Sequence, residues 1–333
     1  MSQTVSSIVN LDRLTIWMQI SKKYELVKGK LILTNYLHGK ALWQQVATVT
    51  DSALACGALE SIPTHSEMRE VTCAETTISF QVRVVENLLR KSSAVQQRAR
   101  QAPNAKNFNP FLPYEQALYV GELTDHYRCL LNKFNVVDHH LLMVTNQFVS
   151  QQTPLDTEDF LAAQLCLEAH DGLVFYNCGS VAGASVEHKH LQMIPLPLSA
   201  ECSFPFDELL SLSVVADQPA STGLPFSHRV IATEFTETTS ITELNEAAEI
   251  NCNNYHHLLT ELNISANNHG LMSPHNMLMT RKFIWVIPRS KESYQGLSVN
   301  ALGFAGMLLV KDEAQLKQLD EVGCLALLKA VSL

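Results

Sequence analysis

Apolar positions along the chain recur at two periods, and the switches between them mark out the elements. Spacing near the helical repeat predicts helices over 5–20, 41–59 and 241–262, the second stopped near Gly57, and a helical chain end that includes 325–331. An Asp/Thr start at Asp156 and an Asp171-Gly172 stop predict a further helix over 156–170, with a shorter one near 207–212. Alternation and short β-branched runs predict strands at 26–35, 77–85, 119–123, 129–137, 140–144, 173–176, 228–233, 276–279 and 283–287. The polar run 62–75 is expected to be loop. So is the Gln/Asn/Ala/Pro-rich stretch 92–113, the best candidate for a mobile segment. Residues 302–309 (LGFAGMLL) are expected in the packed interior. Because the strands come in adjacent runs, the pattern favours α+β over a doubly wound parallel sheet. A Pro/Gly-rich break at 218–225 divides the chain into an N-terminal half, 1–217, and a C-terminal half, 226–333, expected to form one compact unit.

The strand at 173–176 runs directly into NCGSVAGASVEHKHLQMIP, residues 177–195. If 187–194 is extended, His188, His190 and Gln192 share one face while Lys189, Leu191 and Met193 share the other. Upstream lies a turn built on Gly179 and Gly183 with Ser180, Ala182, Ala184 and Ser185, whose backbone N–H groups could receive an anion. Two imidazoles and an amide beside such a cradle suit a nucleophile acting on an anionic substrate. Two other readings stand beside it: a metal pair at strand positions i and i+2, or a plain turn followed by hydrogen-bonded histidines. Lys133, next to Asn132 and flanked by Leu131 and Phe134, is costly to bury unless an anion meets it, or else it snorkels to solvent. Lys91 reads by default as a solvated charge at a helix end.

Composition narrows the class. The chain has 333 residues, 46% hydrophobic and 17% charged, with a net charge of −9. That is a folded globular protein with a large core, and its acidity argues against nucleic-acid binding. Its eight cysteines are scattered without a CxxC pair, so neither a thiolate zinc site nor a disulfide framework is expected. No apolar run is long enough to span a membrane and the opening residues lack the form of a signal peptide, so a soluble, cytoplasmic protein is expected.

His188-Lys189-His190-Leu191-Gln192 after Gly183-Ala184-Ser185 resembles the histidine-triad superfamily, in the transferase branch where Gln replaces the last His. Further blocks extend the likeness to the ATP adenylyltransferase, or diadenosine tetraphosphate phosphorylase, family. They are FQVRVVENLLRK, LLNKFNVVDHHLLMVTNQF, VFYNCGSVAGASVEHKHLQ, HNMLMT with VIPRSKE, and NALGFAGMLLVKDE, in the family's order. The resemblance implies a histidine-triad-like α+β fold with a mainly antiparallel sheet, in which two related halves of one chain form an internal pseudo-dimer. It implies that His190 is the nucleophile, Gln192 binds the reacting phosphate and His188 supports them. Lys91, Asn132, Lys133, Asn177, Gly183, Ala184, Ser185 and Val186 would line the nucleotide site, completed by His275, Asn276 and Thr280 from the C-terminal half. The implied substrates are small nucleotides and inorganic phosphate, with a divalent cation such as Mg²⁺ carried on the polyphosphate, no protein-held metal, no membrane or nucleic-acid partner, and a monomer sufficient. Glu187 and Asp138 depart from the pattern as extra acidic groups, and His275 stands where relatives commonly carry an aromatic residue. A hexose-1-phosphate uridylyltransferase-like enzyme, a non-catalytic nucleotide sensor and a His-based metal protein are the rival classes.

Overall fold

The computed structural model describes residues 24–27, 30–33, 36–73, 75–84, 109–198, 203–215, 223–238 and 240–333. The predicted helix over 5–20, and Lys91, lie outside the described residues. After a short hairpin, β1 (Tyr24–Val27) with β2 (Lys30–Leu33), the chain forms α1 (Gly39–Ala55), β3 (His65–Cys73) and β4 (Thr76–Val84). Then come β5 (Tyr119–Glu122), β6 (Tyr127–Leu131), β7 (Leu141–Thr145), α2 (Thr157–Ala169), β8 (Gly172–Asn177), β9 (His190–Pro195) and α3 (Asp207–Val215). The C-terminal part adds β10 (Arg229–Ala232), α4 (Ile241–Glu261), β11 (His275–Met279), β12 (Phe283–Pro288), β13 (Ser293–Tyr294) and β14 (Leu297–Ser298). It closes with α5 (Ala301–Phe304), β15 (Met307–Val310), α6 (Glu313–Val322) and α7 (Cys324–Val331).

The architecture is α+β. One eight-stranded sheet runs in the order β10-β12-β11-β8-β9-β7-β6-β5, and all its pairings are antiparallel. Alternation along the strands sends side chains to two different cores. Met143, Val174, Tyr176, Leu191, Met193, Met277 and Val286 face a cluster closed by α1, α2 and α4. Leu173, Phe175, Ile194, Leu278, Trp285 and Ile287 face the other cluster, closed by the small sheet β15-β4-β3 and by α3, α5, α6 and α7. The β8–β11 pairing, Asn177 opposite Asn276 through Val174 opposite Met279, joins strands from before and after the Pro/Gly-rich break into one surface.

One expectation fails, that of a loop over 62–75. Residues 65–73 form a strand, not loop, but β3 is an edge that pairs only with β4, and its side chains are mostly exposed or half-buried, so its sequence is polar. The stretch 302–309 spans two elements, α5 and then β15, separated at Gly306. Its expected burial holds, since all but one of its residues are buried.

Candidate active site

The motif strand starts one pair later than the alternation suggested. β9 begins at His190, while His188 forms an isolated bridge with Ser150. His190 and Gln192 nonetheless issue from one face, opposite Val144 and Leu142 of β7, and Gln192 also faces Phe175 of β8. Lys189 points the other way. Its ammonium lies 2.6 Å from the carboxylate of Asp159 and 3.0 Å from the Pro154 carbonyl, and both charged residues are almost fully buried.

The geometry fixes the His190 tautomer. Nδ1 sits 2.7 Å from the backbone carbonyl of His188, so it carries the proton, and the lone pair belongs to Nε2. Burial pushes the His190 imidazole down to about 4, so it is neutral at pH 7. Phe111 packs against the ring in a T-shaped arrangement at a centroid distance of 5.3 Å. His188 is held on both nitrogens: Nε2 donates toward Thr145 Oγ1 and the Thr145 and Gln147 carbonyls at 2.8–3.0 Å, and Nδ1 accepts from Asn109 Nδ2 at 2.9 Å. His188 therefore orients its surroundings while His190 keeps a nucleophilic nitrogen.

Gln192 is oriented by a relay. Asn132 Nδ2 donates to His140 Nδ1 at 3.1 Å, and His140 Nε2 then donates to Gln192 Oε1 at 2.9 Å. With its oxygen accepting, the Gln192 amide presents NH₂, a donor suited to a phosphoryl oxygen. Across the sheet, Asn177 Oδ1 accepts from Asn276 Nδ2 at 2.8 Å and from the Ala301 N–H at 2.9 Å. Asn276 also donates to the Ala182 carbonyl and accepts from Arg289 Nη1 at 2.7 Å. Arg289, itself buried, gathers the Val331, Lys291 and Val299 carbonyls, so the glycine turn is braced from the C-terminal part of the chain.

That turn differs from an open anion cradle. Ala182, Gly183 and Ala184 donate their N–H groups to the carbonyls of Gly179 and Ser180. Ser185, exposed, and Val186, half-buried, carry no such backbone bond among the described residues. Gly183, at φ +93°, lies so close to Asn300 that a Cβ would meet its Cβ at 2.6 Å. Glycine is required there by packing as well as by conformation.

A family model of the Ap4A phosphorylase N-terminal domain matches residues 33–212, and one of the ATP adenylyltransferase C-terminal domain matches residues 222–333. Diadenosine 5',5'''-P1,P4-tetraphosphate phosphorylase 2 of Saccharomyces cerevisiae is 30% identical over 283 residues, covering 78% of this chain and 84% of that protein. The chain belongs to the Ap4A phosphorylase family. Protein APA1 of the same yeast is 28% identical over 81% of this chain and 87% of its own length. The crystal structure of yeast Ap4A phosphorylase Apa2 in complex with AMP matches at TM-score 0.64 and 27% identity, covering 88% of this chain and 96% of that one. The same enzyme in complex with Ap4A matches at 0.66 and 25%, covering 89% and 98%.

Of the expected site residues, the structure gathers His188, His190, Gln192, Asn132, Asn177, Asn276 and the Gly183–Val186 turn, and separates three others from them. His275 is on the opposite face of β11 from Asn276: Nδ1 meets the Ser273 carbonyl at 2.7 Å and Nε2 the Tyr255 hydroxyl at 2.5 Å, among residues packed against α4. Thr280 caps the far β11–β12 turn, where its hydroxyl accepts from the Lys282 and Phe283 N–H groups. Lys133 is paired with Glu115 at 2.7 Å near the sheet rim. Conversely, sequence reasoning missed His140, Gln151, Arg289 and the Asn109–Phe111 contact. The last lies at the end of the stretch read as mobile, and Asn-Pro-Phe-Leu-Pro, with two prolines around an aromatic, was its available signal. Among the described residues no group of three His, Cys, Asp or Glu side chains is placed to hold a metal ion, and no helix is long and apolar enough to cross a membrane.

Buried neutral imidazoles make the fold acid-sensitive. His190 and His275 both sit at about 4, depressed chiefly by burial, against about 6.5 in the unfolded chain. Depressed folded values mean stability is present above about 6.5 and lost as pH falls toward about 4, because the unfolded chain binds those protons first. At pH 5 each contributes a loss of about 2 kcal/mol relative to pH 7. Asp159 acts in the opposite sense. Burial raises its carboxyl to about 6, which returns about 1 kcal/mol over the same interval. Urea unfolding at the two pH values is therefore expected to show a net loss of about 3 kcal/mol at pH 5 from these three groups. Equal stabilities at the two pH values would contradict neutral buried imidazoles.

Proposed function

We propose that this chain cleaves diadenosine tetraphosphate with inorganic phosphate to ATP and ADP through a covalent adenylyl-histidine. The observation that carries the reading is the His190 Nδ1–H bond to the His188 carbonyl, which leaves Nε2 as an unprotonated nucleophile. Nε2 attacks the α-phosphorus, the bond to the bridging oxygen breaks and ATP departs. The imidazolium positive charge that develops is shared with the His188 carbonyl through Nδ1–H. A phosphate oxygen then attacks the adenylyl phosphorus, the P–N bond breaks to return its electron pair to Nε2, and ADP leaves. The Gln192 NH₂ and the Ser185 and Val186 amides offset charge on the phosphoryl oxygens, where preorganised donors contribute most. Lys133, released from Glu115, and Lys91 are the cations of the reading, and Asn177 and Asn276 its binding residues. Gln192 cannot serve as a general acid, which favours transfer to phosphate over hydrolysis. Mg²⁺ would travel on the polyphosphate, since such ions prefer phosphate and water oxygens to an all-protein cage.

The continuous sheet joining both halves supports one catalytic unit in which the halves act as an internal pseudo-dimer, so that a monomer suffices. The six buried free thiols among the seven described cysteines fit a reducing, cytoplasmic setting. Incubation of the purified protein with diadenosine tetraphosphate and Mg²⁺ is expected to yield ATP and ADP in equal amounts only when phosphate is present. AMP and ATP without phosphate would indicate a hydrolase. Binding without products would indicate a nucleotide sensor, and exchange of hexose phosphate a uridylyltransferase. Adenylyl sulfate, offered with phosphate, is expected to serve as a second adenylyl donor.

A further inference from the structure

The β8–β9 ladder stops two residue pairs, one hydrogen-bonding step, short of His190. Its last pair is Phe175 with Gln192, and continuing the register would place Asn177 opposite His190. A side chain occupies that rung instead. Gln151 Oε1 accepts from the His190 N–H at 2.8 Å, while its Nε2 donates to the His190 carbonyl at 3.1 Å and the Asn177 carbonyl at 3.0 Å. The amide thus reproduces the donor and acceptor of a peptide group between two backbones. It is only 2% exposed. Its own backbone is anchored as well: the Gln151 N–H donates to the Glu187 carbonyl at 2.7 Å, and its carbonyl accepts from the Tyr176 hydroxyl.

We propose that Gln151 is a positioning residue for His190: an inserted amide that takes the place of a missing β-sheet rung. The substitution solves a geometric conflict. A continued ladder would hold Asn177 and the 179–183 turn flat against β9 and leave no room for a phosphate between them. With no rung at all, the His190 N–H and two carbonyls would be buried without partners, at a cost of about 1–3 kcal/mol each. The Gln151 amide lets the strands part while holding the His190 backbone at both its polar groups. The Nδ1 bond to the His188 carbonyl spans only two residues, so its geometry follows directly from the backbone that Gln151 fixes. A misplacement of about 1 Å in a reacting group costs on the order of 10²-fold in rate.

The inference rests on the phosphorylase reading, and the experiment separates the two. If the wild-type protein makes no ATP and ADP from diadenosine tetraphosphate and phosphate, the reading fails whatever Gln151 does. Given wild-type turnover, Gln151→Met, which keeps the length and removes the polar atoms, is expected to lower kcat about 10²-fold with KM within about threefold. Gln151→Glu supplies a signature that a packing role would not. Ionised, its carboxylate faces two carbonyl oxygens. Protonated, it offers the His190 N–H an acceptor and the carbonyls one donor, and burial raises the pH at which this happens. Its kcat relative to wild type is expected to rise at least tenfold between pH 8 and pH 6. A kcat for Gln151→Met within threefold of wild type would overturn the proposal. So would a Gln151→Glu profile parallel to the wild type, and that profile alone decides if the Met variant does not fold.

Discussion

Replacing His190 with Ala is expected to lower turnover of diadenosine tetraphosphate by about 10⁴-fold or more, as loss of a covalent nucleophile does in other enzymes. The structure makes this a test of chemistry rather than of folding. The imidazole contributes one hydrogen bond, to the His188 carbonyl, and a T-shaped contact with Phe111. The backbone N–H and carbonyl of residue 190 stay bonded to Gln151 whatever its side chain. Circular dichroism and the urea midpoint should therefore remain close to wild type, offset by about 1–3 kcal/mol for the truncated buried ring. A second readout isolates the covalent step. Substrate labelled at the α-phosphate, supplied without acceptor, should leave acid-labile label on wild-type protein and none on His190→Ala. Turnover by the variant within tenfold of wild type would remove His190 from the mechanism. Label persisting on the variant would move the nucleophile elsewhere, although His188 is poorly suited, with both ring nitrogens already engaged.

Period-two spacing made the central pair legible. His190 and Gln192 had to share a strand face, and Leu191 and Met193 had to enter the core behind them. The same rule applied to His275-Asn276 would have separated them, because neighbours on a strand face opposite ways. A motif match carried both into the site as a block, and only Asn276 is there. What stayed hidden depends on partners distant in sequence. Gln151 acts on a residue 39 positions later, and the tight fit of Gly183 depends on Asn300. β3 was hidden for another reason: an edge strand exposed to solvent carries little of the apolar alternation by which strands are recognised. Helix α6 was missed although Asp312 caps it, because its ten residues bury only Leu316 and Leu319.

The largest expected effect on stability lies behind the histidines, at Lys189 and Asp159. Lys189 stands between His188 and His190, and its ammonium meets the Asp159 carboxylate at 2.6 Å in a region with almost no solvent. Asp159 also receives the Tyr127 hydroxyl and the Asp156 N–H, the latter as part of the capping box at the start of α2. The pair therefore ties the helix N-terminus to the strand that carries His190. Removing Asp159 leaves a buried ammonium with the Pro154 carbonyl as its remaining partner, so Asp159→Leu should cost about 3–5 kcal/mol. Lys189→Met should cost less. The orphaned carboxyl, already raised to about 6 by burial, can take up a proton and become neutral. The sign follows: with the folded value raised further above the unfolded one, the Lys189→Met protein gains stability relative to wild type as pH is lowered from 7 to 5. The double variant Lys189→Met with Asp159→Leu contains neither orphan charge, and should lie within about 2 kcal/mol of wild type, more stable than the sum of the two single losses predicts. Urea unfolding of the four proteins measures this coupling directly. If the two single losses add in the double variant, the charges are not a pair, and the anchoring of β9 to α2 must rest on the surrounding apolar contacts instead.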